Sequence, residues 1–239
     1  GLHNLRPQHR GCVATIGNFD GVHRGHQAIM ARLRERAGEL GVPSCVVIFE
    51  PQPREFFSPQ TAPARLTRLR DKLALLSAEG VDRVLCLAFT RRFRELSAAE
   101  FVQKVLVDGL AVRHLEVGDD FRFGCDRAGD FAFLSQAGAR EGFSVEAAKT
   151  VVLDGVRVSS TRVREALASG DFALAEAFSD CRAGAAWAEA GASVGCADGQ
   201  CPAQALPCAV DRGVSGQYRD RWPGLARRRQ YRCTADGGR

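Results

Sequence analysis

Two histidines three residues apart, His23 and His26, close the stretch TIGNFDGVHRGH at residues 15–26. On one helical turn that spacing puts both imidazoles on a common face. At the positive end of a helix they can donate hydrogen bonds to a polyphosphate. Gly17, Gly21 and Gly25 let the backbone come close to a ligand where a side chain would block it. An apolar run, residues 12–16, stops at Gly17, and an amphipathic pattern begins just beyond His23. The reading is strand, glycine-bearing loop, helix N-terminus, an arrangement that receives phosphate. An isolated H-x-G-H is equally well a tight turn with two surface histidines. A second phosphate-type motif downstream decides between them.

That motif is VSSTRVRE at residues 158–165. Ser159 or Ser160 can cap the following helix, leaving hydroxyls and free amides pointing outward. Arg162 and Arg164 add guanidinium groups suited to a triphosphate. Alone, the motif reads as an ordinary capped helix with solvated arginines. Paired with the first it becomes a clamp, one helix end for each side of a phosphate chain. A third stretch, GDDFRFG at residues 118–124, sets Phe121 and Phe123 among two carboxylates and two glycines. Each phenylalanine is by itself a plain core residue. At the carboxyl end of a sheet, an aromatic loop with polar edges can instead bind a planar ring system.

These motifs need a scaffold, and the pattern between them supplies one. Residues 27–40 read as an amphipathic helix closed by Gly41. Residues 44–49 (SCVVIF) form an apolar strand of the kind buried in a parallel sheet, and Glu50-Pro51-Gln52-Pro53 forces an extended loop at its end. A helix over 67–78, a strand over 83–89 and a helix from Ser97 through Leu106 follow, the last with Glu100 completing a capping box. Residues 114–117 make a fourth strand and 144–152 a fifth. Alternation at this spacing predicts an α/β fold, a doubly wound parallel sheet. Its ligands sit beyond the carboxyl ends of the strands, where the three motif loops converge.

The chain of 239 residues has room for one large or two modest domains, with a mild net charge of +5. Arginine far outnumbers lysine, which suits bidentate phosphate contacts. The arginines are dispersed over helices without an aromatic stacking platform, so a nucleic-acid partner is not expected. No apolar run is long enough for a bilayer, and the opening GLHNLRPQHR lacks the apolar core of a signal peptide. The start, without Met, reads as clipped or incomplete. Cys12, Cys45, Cys86 and Cys125 fall mostly in apolar runs and read as reduced core residues. A cytoplasmic location follows by default.

In order along the chain, TIGNFDGVHRGH, FEPQP, RLTRLRDKLALL, VGDDFRFG and VSSTRVREAL closely resemble the adenylyltransferase module of the bacterial bifunctional riboflavin kinase/FMN adenylyltransferases, the FAD synthetases. The likeness covers about residues 1–178. It implies a Rossmann-like nucleotidylyltransferase fold and attack by an FMN phosphate oxygen on the α-phosphorus of ATP, giving FAD and pyrophosphate with Mg²⁺. Transfer of this kind needs positioning and charge neutralisation more than a protein nucleophile. The resemblance assigns catalysis to His23, His26 and Arg164, with the imidazoles stabilising charge on the ATP phosphates. Gly17, Asn18, Phe19 and Gly25 are expected around ATP. Ser159, Ser160, Thr161 and Arg164 are expected to hold the departing β- and γ-phosphates. Asp120, Phe121 and Phe123 are the expected flavin contacts. Asn18 and Asp20 are expected to shape the first loop, with Asp20 within reach of the metal through water; no metal ligand is assigned. As a zinc site the histidine pair lacks a third ligand of matching spacing. Rival readings are another nucleotidylyltransferase of the H-x-G-H superfamily and a non-catalytic nucleotide- or flavin-binding remnant.

After Phe178 the family pattern breaks. From Ser179 onward there is no Phe, Ile, Lys, His, Met or Asn, while both Trp, both Tyr and five of nine Cys occur there. Cys181, Cys196, Cys201, Cys208 and Cys233 fit no usual zinc framework. Back-translated and read one base later, residues 195–201 permit Gly-Val-Pro-Thr-Ala-Asn-Val, containing the PTAN motif of the kinase family. Residues 229–236 in the same frame permit Gly-Asn-Ile-Gly-Val-Arg-Pro-Thr, another kinase-family signature. Residues 179–239 are therefore expected to be an out-of-frame remnant of the kinase domain. They are expected to be disordered or poorly packed, not a barrel, and without riboflavin kinase activity.

Overall fold

A computed structural model describes residues 1–179. The central strand β1 (Cys12–Ile16) is buried along its whole length. It lies between β2 (Ser44–Glu50) and β4 (Val112–Val117), and β3 (Arg83–Ala88) and β5 (Ser144–Ala147) form the edges, giving the order β3-β2-β1-β4-β5 with every pairing parallel. Successive β1 residues point to opposite faces. Val13 joins Met30, Leu33 and Ala37 of α1 (Arg24–Leu40) and Leu76 of α3 (Leu69–Ala78). Cys12, Ala14 and Ile16 join the other layer. There Val105 and Leu106 belong to the π-helical run Val102–Leu110, which continues α5 (Ala98–Phe101), and Leu134 and Ala137 belong to α6 (Phe131–Glu141). The expected doubly wound α/β sheet is this sheet.

The chain order reverses direction between β1 and β4, and a crevice opens at such a point beyond the strand ends. The loop after β1 carries the histidines and the loop after β4 carries the GDDFRFG stretch. Two short helices, α2 (Pro53–Phe57) and α4 (Arg91–Arg94), flank β2 and β3. After β5 come β6 (Val152–Leu153), β7 (Val156–Arg157), α7 (Ser160–Ala168) and α8 (Phe172–Phe178). Val163 of α7 and Phe178 of α8 pack with Leu66 and Val158 in a third cluster.

Several boundaries differ from the sequence expectation. α1 begins at Arg24, earlier than residue 27, with His23 as its N-cap. The helix from Ser97 has the expected capping box, Ser97 Oγ accepting from Glu100 N at 3.2 Å, but it runs on to Leu110. The fifth strand stops at Ala147 instead of reaching 152. Val152 pairs antiparallel with Arg157 across an Asp154-Gly155 turn. Both turn residues have positive φ, 49° and 78°, which suits a two-residue hairpin. Cys12 and Cys45 are buried, Cys86 and Cys125 partly so, and all four are free thiols. Expectations for residues 180–239 lie outside the described residues.

Candidate active site

The loop between β1 and α1 is wound tightly, with Phe19, Gly21 and Val22 all at positive φ. What holds it is Asp20, buried to 2 % exposure. The Asp20 carboxylate accepts from Leu66 N at 3.0 Å, Thr67 N at 3.0 Å and Thr67 Oγ1 at 3.2 Å. Thr67 Oγ1 in turn accepts from Gly21 N at 3.1 Å. Arg164 completes the carboxylate's shell and also donates through Nε to Ala64 O at 2.7 Å. Ser160 Oγ donates to the Asp20 carbonyl at 2.9 Å. The two phosphate-type motifs, about 140 residues apart in the chain, are thus stitched together through Asp20.

His23 and His26 stack with ring centroids 3.7 Å apart and planes 18° from parallel, and Phe19 tilts against His26 at 5.0 Å. Both Nδ1 atoms are buried without a hydrogen-bond partner among the described residues. Burial pushes the His23 pKa down to about 4, against the smaller opposing pull of Asp20. Burial, then the neighbouring His23 and Lys72, holds His26 well below the ordinary imidazole range. At neutral pH both rings are uncharged, each carrying one N–H to donate. Gly25 lies between them, and a Cβ there would stand 3.1 Å from the His23 ring and 3.4 Å from the Val158 carbonyl. Glycine lets the first turn of α1 press against the chain entering α7.

A cleft of about 330 Å³ collects most of these groups. His23, Gly25 and His26 border it from α1, and Ser159, Ser160 and Thr161 border it from α7. Two helix N-termini therefore meet one cavity, each bringing free amides and a positive dipole end. Asp120 lines the same cleft, with Lys149 and Arg157. Phe121 and Phe123 line a separate cavity of about 520 Å³. There they stack at 5.6 Å, and Phe57, Phe89 and Phe93 complete an aromatic wall. Phe123 is 6 % exposed and belongs to the core as well.

The remaining expected residues lie outside both cavities. Phe19 is 3 % exposed and acts as a buttress behind His26. Gly17 admits the Phe19 ring, which would lie 3.0 Å from a Cβ. Asn18 is exposed. Arg164 lies with Asp20 beneath the cleft, and Arg162 is turned to Glu165 at 2.9 Å. Four protein donors already surround the Asp20 carboxylate. Sequence reasoning missed Leu66 and Thr67, which hold Asp20, and the α2 and α4 phenylalanines. The paired Phe56-Phe57 after FEPQP was their available signal.

The FAD synthetase family model matches residues 5–162. The chain belongs to the FAD synthetase family. Among its relatives, the bifunctional riboflavin kinase/FMN adenylyltransferase of Pseudomonas fluorescens is 77% identical over 176 residues, covering 74% of this chain and 56% of that protein. The protein of the same description from Escherichia coli (strain K12) is 54% identical over 178 residues, with coverage of 74% and 56%. The Haemophilus influenzae protein is 51% identical over 176 residues, with coverage of 74% and 57%. This member of the FAD synthetase family spans a little over half the length of these relatives. Its fold also matches the crystal structure titled as a macrolide-efflux protein from Streptococcus pneumoniae, with a TM-score of 0.63 over 74% of this chain and 57% of that one. At 23% identity that match concerns the fold alone. Among the described residues no helix is long and apolar enough to cross a membrane.

Proposed function

We propose that the chain is an FMN adenylyltransferase, moving the AMP group of ATP onto the phosphate of FMN. The observation that carries this reading is the convergence of His23, His26 and the Ser159–Thr161 turn on one cleft, with an aromatic cavity formed partly by the adjacent loop. An FMN phosphate oxygen forms a bond to the α-phosphorus of ATP, the bond from that phosphorus to the β-phosphate oxygen breaks, and pyrophosphate leaves. The neutral imidazoles donate N–H groups to phosphate oxygens as charge shifts toward the leaving group. The free amides and hydroxyls at the start of α7 receive the β- and γ-phosphates. Phe121 and Phe123 offer ring faces to the flavin. Asp120 stands on the phosphate side, apart from the phenylalanines it was grouped with.

Mg²⁺ fits this site as a companion of ATP. Among the described residues no group of three or more His, Cys, Asp or Glu is arranged to hold a metal. Mg²⁺ keeps several waters and is commonly bound through phosphates with one or two carboxylates. Asp119 and Asp120 are the carboxylates bordering the cleft. The ion supplies charge neutralisation on the triphosphate. We take the location to be cytoplasmic and the partners to be small molecules, without nucleic acid or membrane.

Incubating the purified full chain with ATP, Mg²⁺ and either FMN or riboflavin tests the assignment. FAD and pyrophosphate from FMN, with no product from riboflavin, are expected; no FAD from FMN overturns it. We further propose that residues from about 179 onward are translated out of frame, so that riboflavin kinase activity is absent. The composition break after Phe178 and the two recovered motifs support this. An intact reading frame at the Phe178 codon on resequencing the gene ends the idea.

A further inference from the structure

One wall of the aromatic cavity cannot stand unaided. Pro53, Arg54 and Phe57 line it from α2, a helix of only five residues, and a single turn does not sustain itself in water. Glu55 closes its start, accepting from Gln52 N at 2.9 Å. Phe56 and Phe57 pack on Phe89 at 5.3 and 5.8 Å, and Arg94 lies over the Phe57 ring. Arg65 adds the polar tie. Its guanidinium grips Glu55 through Nε and Nη2, and Glu50 through Nη1 at 3.1 Å and Nη2 at 2.6 Å. Glu50 is the last residue of β2, so one side chain ties the wall to the sheet. Two carboxylates against one guanidinium leave a negative charge over. Lys72 of α3, 1 % exposed, lies in the same field: burial and Arg65 hold its pKa down, against the pull of Asp20, Glu50 and Glu55. Hydrogen bonds from Arg65 hold the Glu55 carboxyl below its ordinary range. Next in the chain, Leu66 and Thr67 hold Asp20 under the phosphate cleft.

We propose that Arg65 is a positioning residue for the acceptor substrate: through Glu50 and Glu55 it fixes the α2 wall of the aromatic cavity. Arg65 itself borders neither cavity. The role rests on the reading of that cavity as the flavin site. A guanidinium can fork to both carboxylates, whereas an ammonium is a point charge and serves them less well.

The test uses the full chain, Arg65→Met, Arg65→Lys and Glu55→Gln. FMN binding is measured by quenching of flavin fluorescence, KM for FMN and for ATP by steady-state kinetics, and folding by thermal melting. Arg65→Met is expected to weaken FMN binding and raise its KM about tenfold, the factor given by about 1.4 kcal/mol of lost positioning. KM for ATP and kcat stay near the parent values, and Arg65→Lys recovers part of the loss. Should Arg65→Met fail to melt cooperatively, Glu55→Gln carries the same comparison and is expected to shift in the same direction. Unchanged FMN affinity in a folded variant overturns the role. So does a parallel rise in both KM values that follows the loss of melting temperature. A parent chain that binds no FMN removes the flavin reading itself, and this role with it.

Discussion

Arg164 of α7 donates to the carboxylate of Asp20, in the loop after β1, and Asp20 is almost fully buried beneath the phosphate cleft. Charge on Asp20 is tolerated there because four donors surround its carboxylate: two amides, a hydroxyl and the guanidinium reaching from α7, while Ser160 satisfies the backbone carbonyl. Removing one partner of a buried pair leaves the other charge uncompensated. Asp20→Asn and Arg164→Met are each expected to lose about 3 to 5 kcal/mol of stability. They should also lower turnover, because the two walls of the cleft separate. Chemical denaturation alongside the FAD assay checks both; parent-like stability in Arg164→Met would contradict this account of the cleft floor.

His26→Ala removes an N–H donor from the cleft and the stacking partner of His23. A drop of about a hundredfold in kcat is expected, the scale seen when one preorganised donor to a developing charge is lost. Turnover at the parent rate would take the imidazoles out of the mechanism.

Lowered imidazole pKa values have a consequence for stability. An unfolded histidine takes up its proton near pH 6.5, while folded His23 does so only near 4. Between those values the unfolded chain binds more protons, so stability falls as the pH is lowered through this window and the loss levels off below about pH 4. His23→Asn should flatten that part of the stability–pH curve, measured by denaturant titration between pH 4 and 7. An unchanged slope would show that His23 titrates normally in the fold.

Adjacent hydroxyls at the start of α7 separate structure from binding. Ser159 Oγ caps the helix, accepting from Arg162 N at 3.3 Å. Thr161 is exposed in the cleft and makes no side-chain hydrogen bond among the described residues. Ser159→Ala is expected to cost about 1 kcal/mol of stability through the lost cap. Thr161→Ala should leave the melting temperature alone and raise KM for ATP. Melting curves and ATP kinetics on the two variants decide; the reverse pattern would reassign the hydroxyls.

Much of this molecule is written locally. The short apolar runs of β1 and β2 read as buried strands, and their alternation with helices leads to a parallel sheet. That in turn puts the histidine loop and the GDDFRFG loop at one edge. Ser97 is legible as a cap, and the second cap is legible to within Ser159 or Ser160, because a cap is a contact between residues three apart. Even the missed hairpin at Asp154-Gly155 had a local signal in its turn residues.

What the tertiary structure alone decided is which side chain meets which across long stretches of chain. Asp20 reads from sequence as a shaper of its loop, and only the fold brings Leu66, Thr67 and Arg164 around it. Asp120 and Phe121 are neighbours in the chain, yet they border different cavities, because the turn after Gly118 sends them to opposite sides. Arg65 opens the RLTRLRDKLALL motif, yet nothing local shows that it ties β2 to α2. Local pattern reports propensity and face, which depend on near neighbours. Burial of a charge depends on partners brought in from elsewhere in the chain, and only folding brings them.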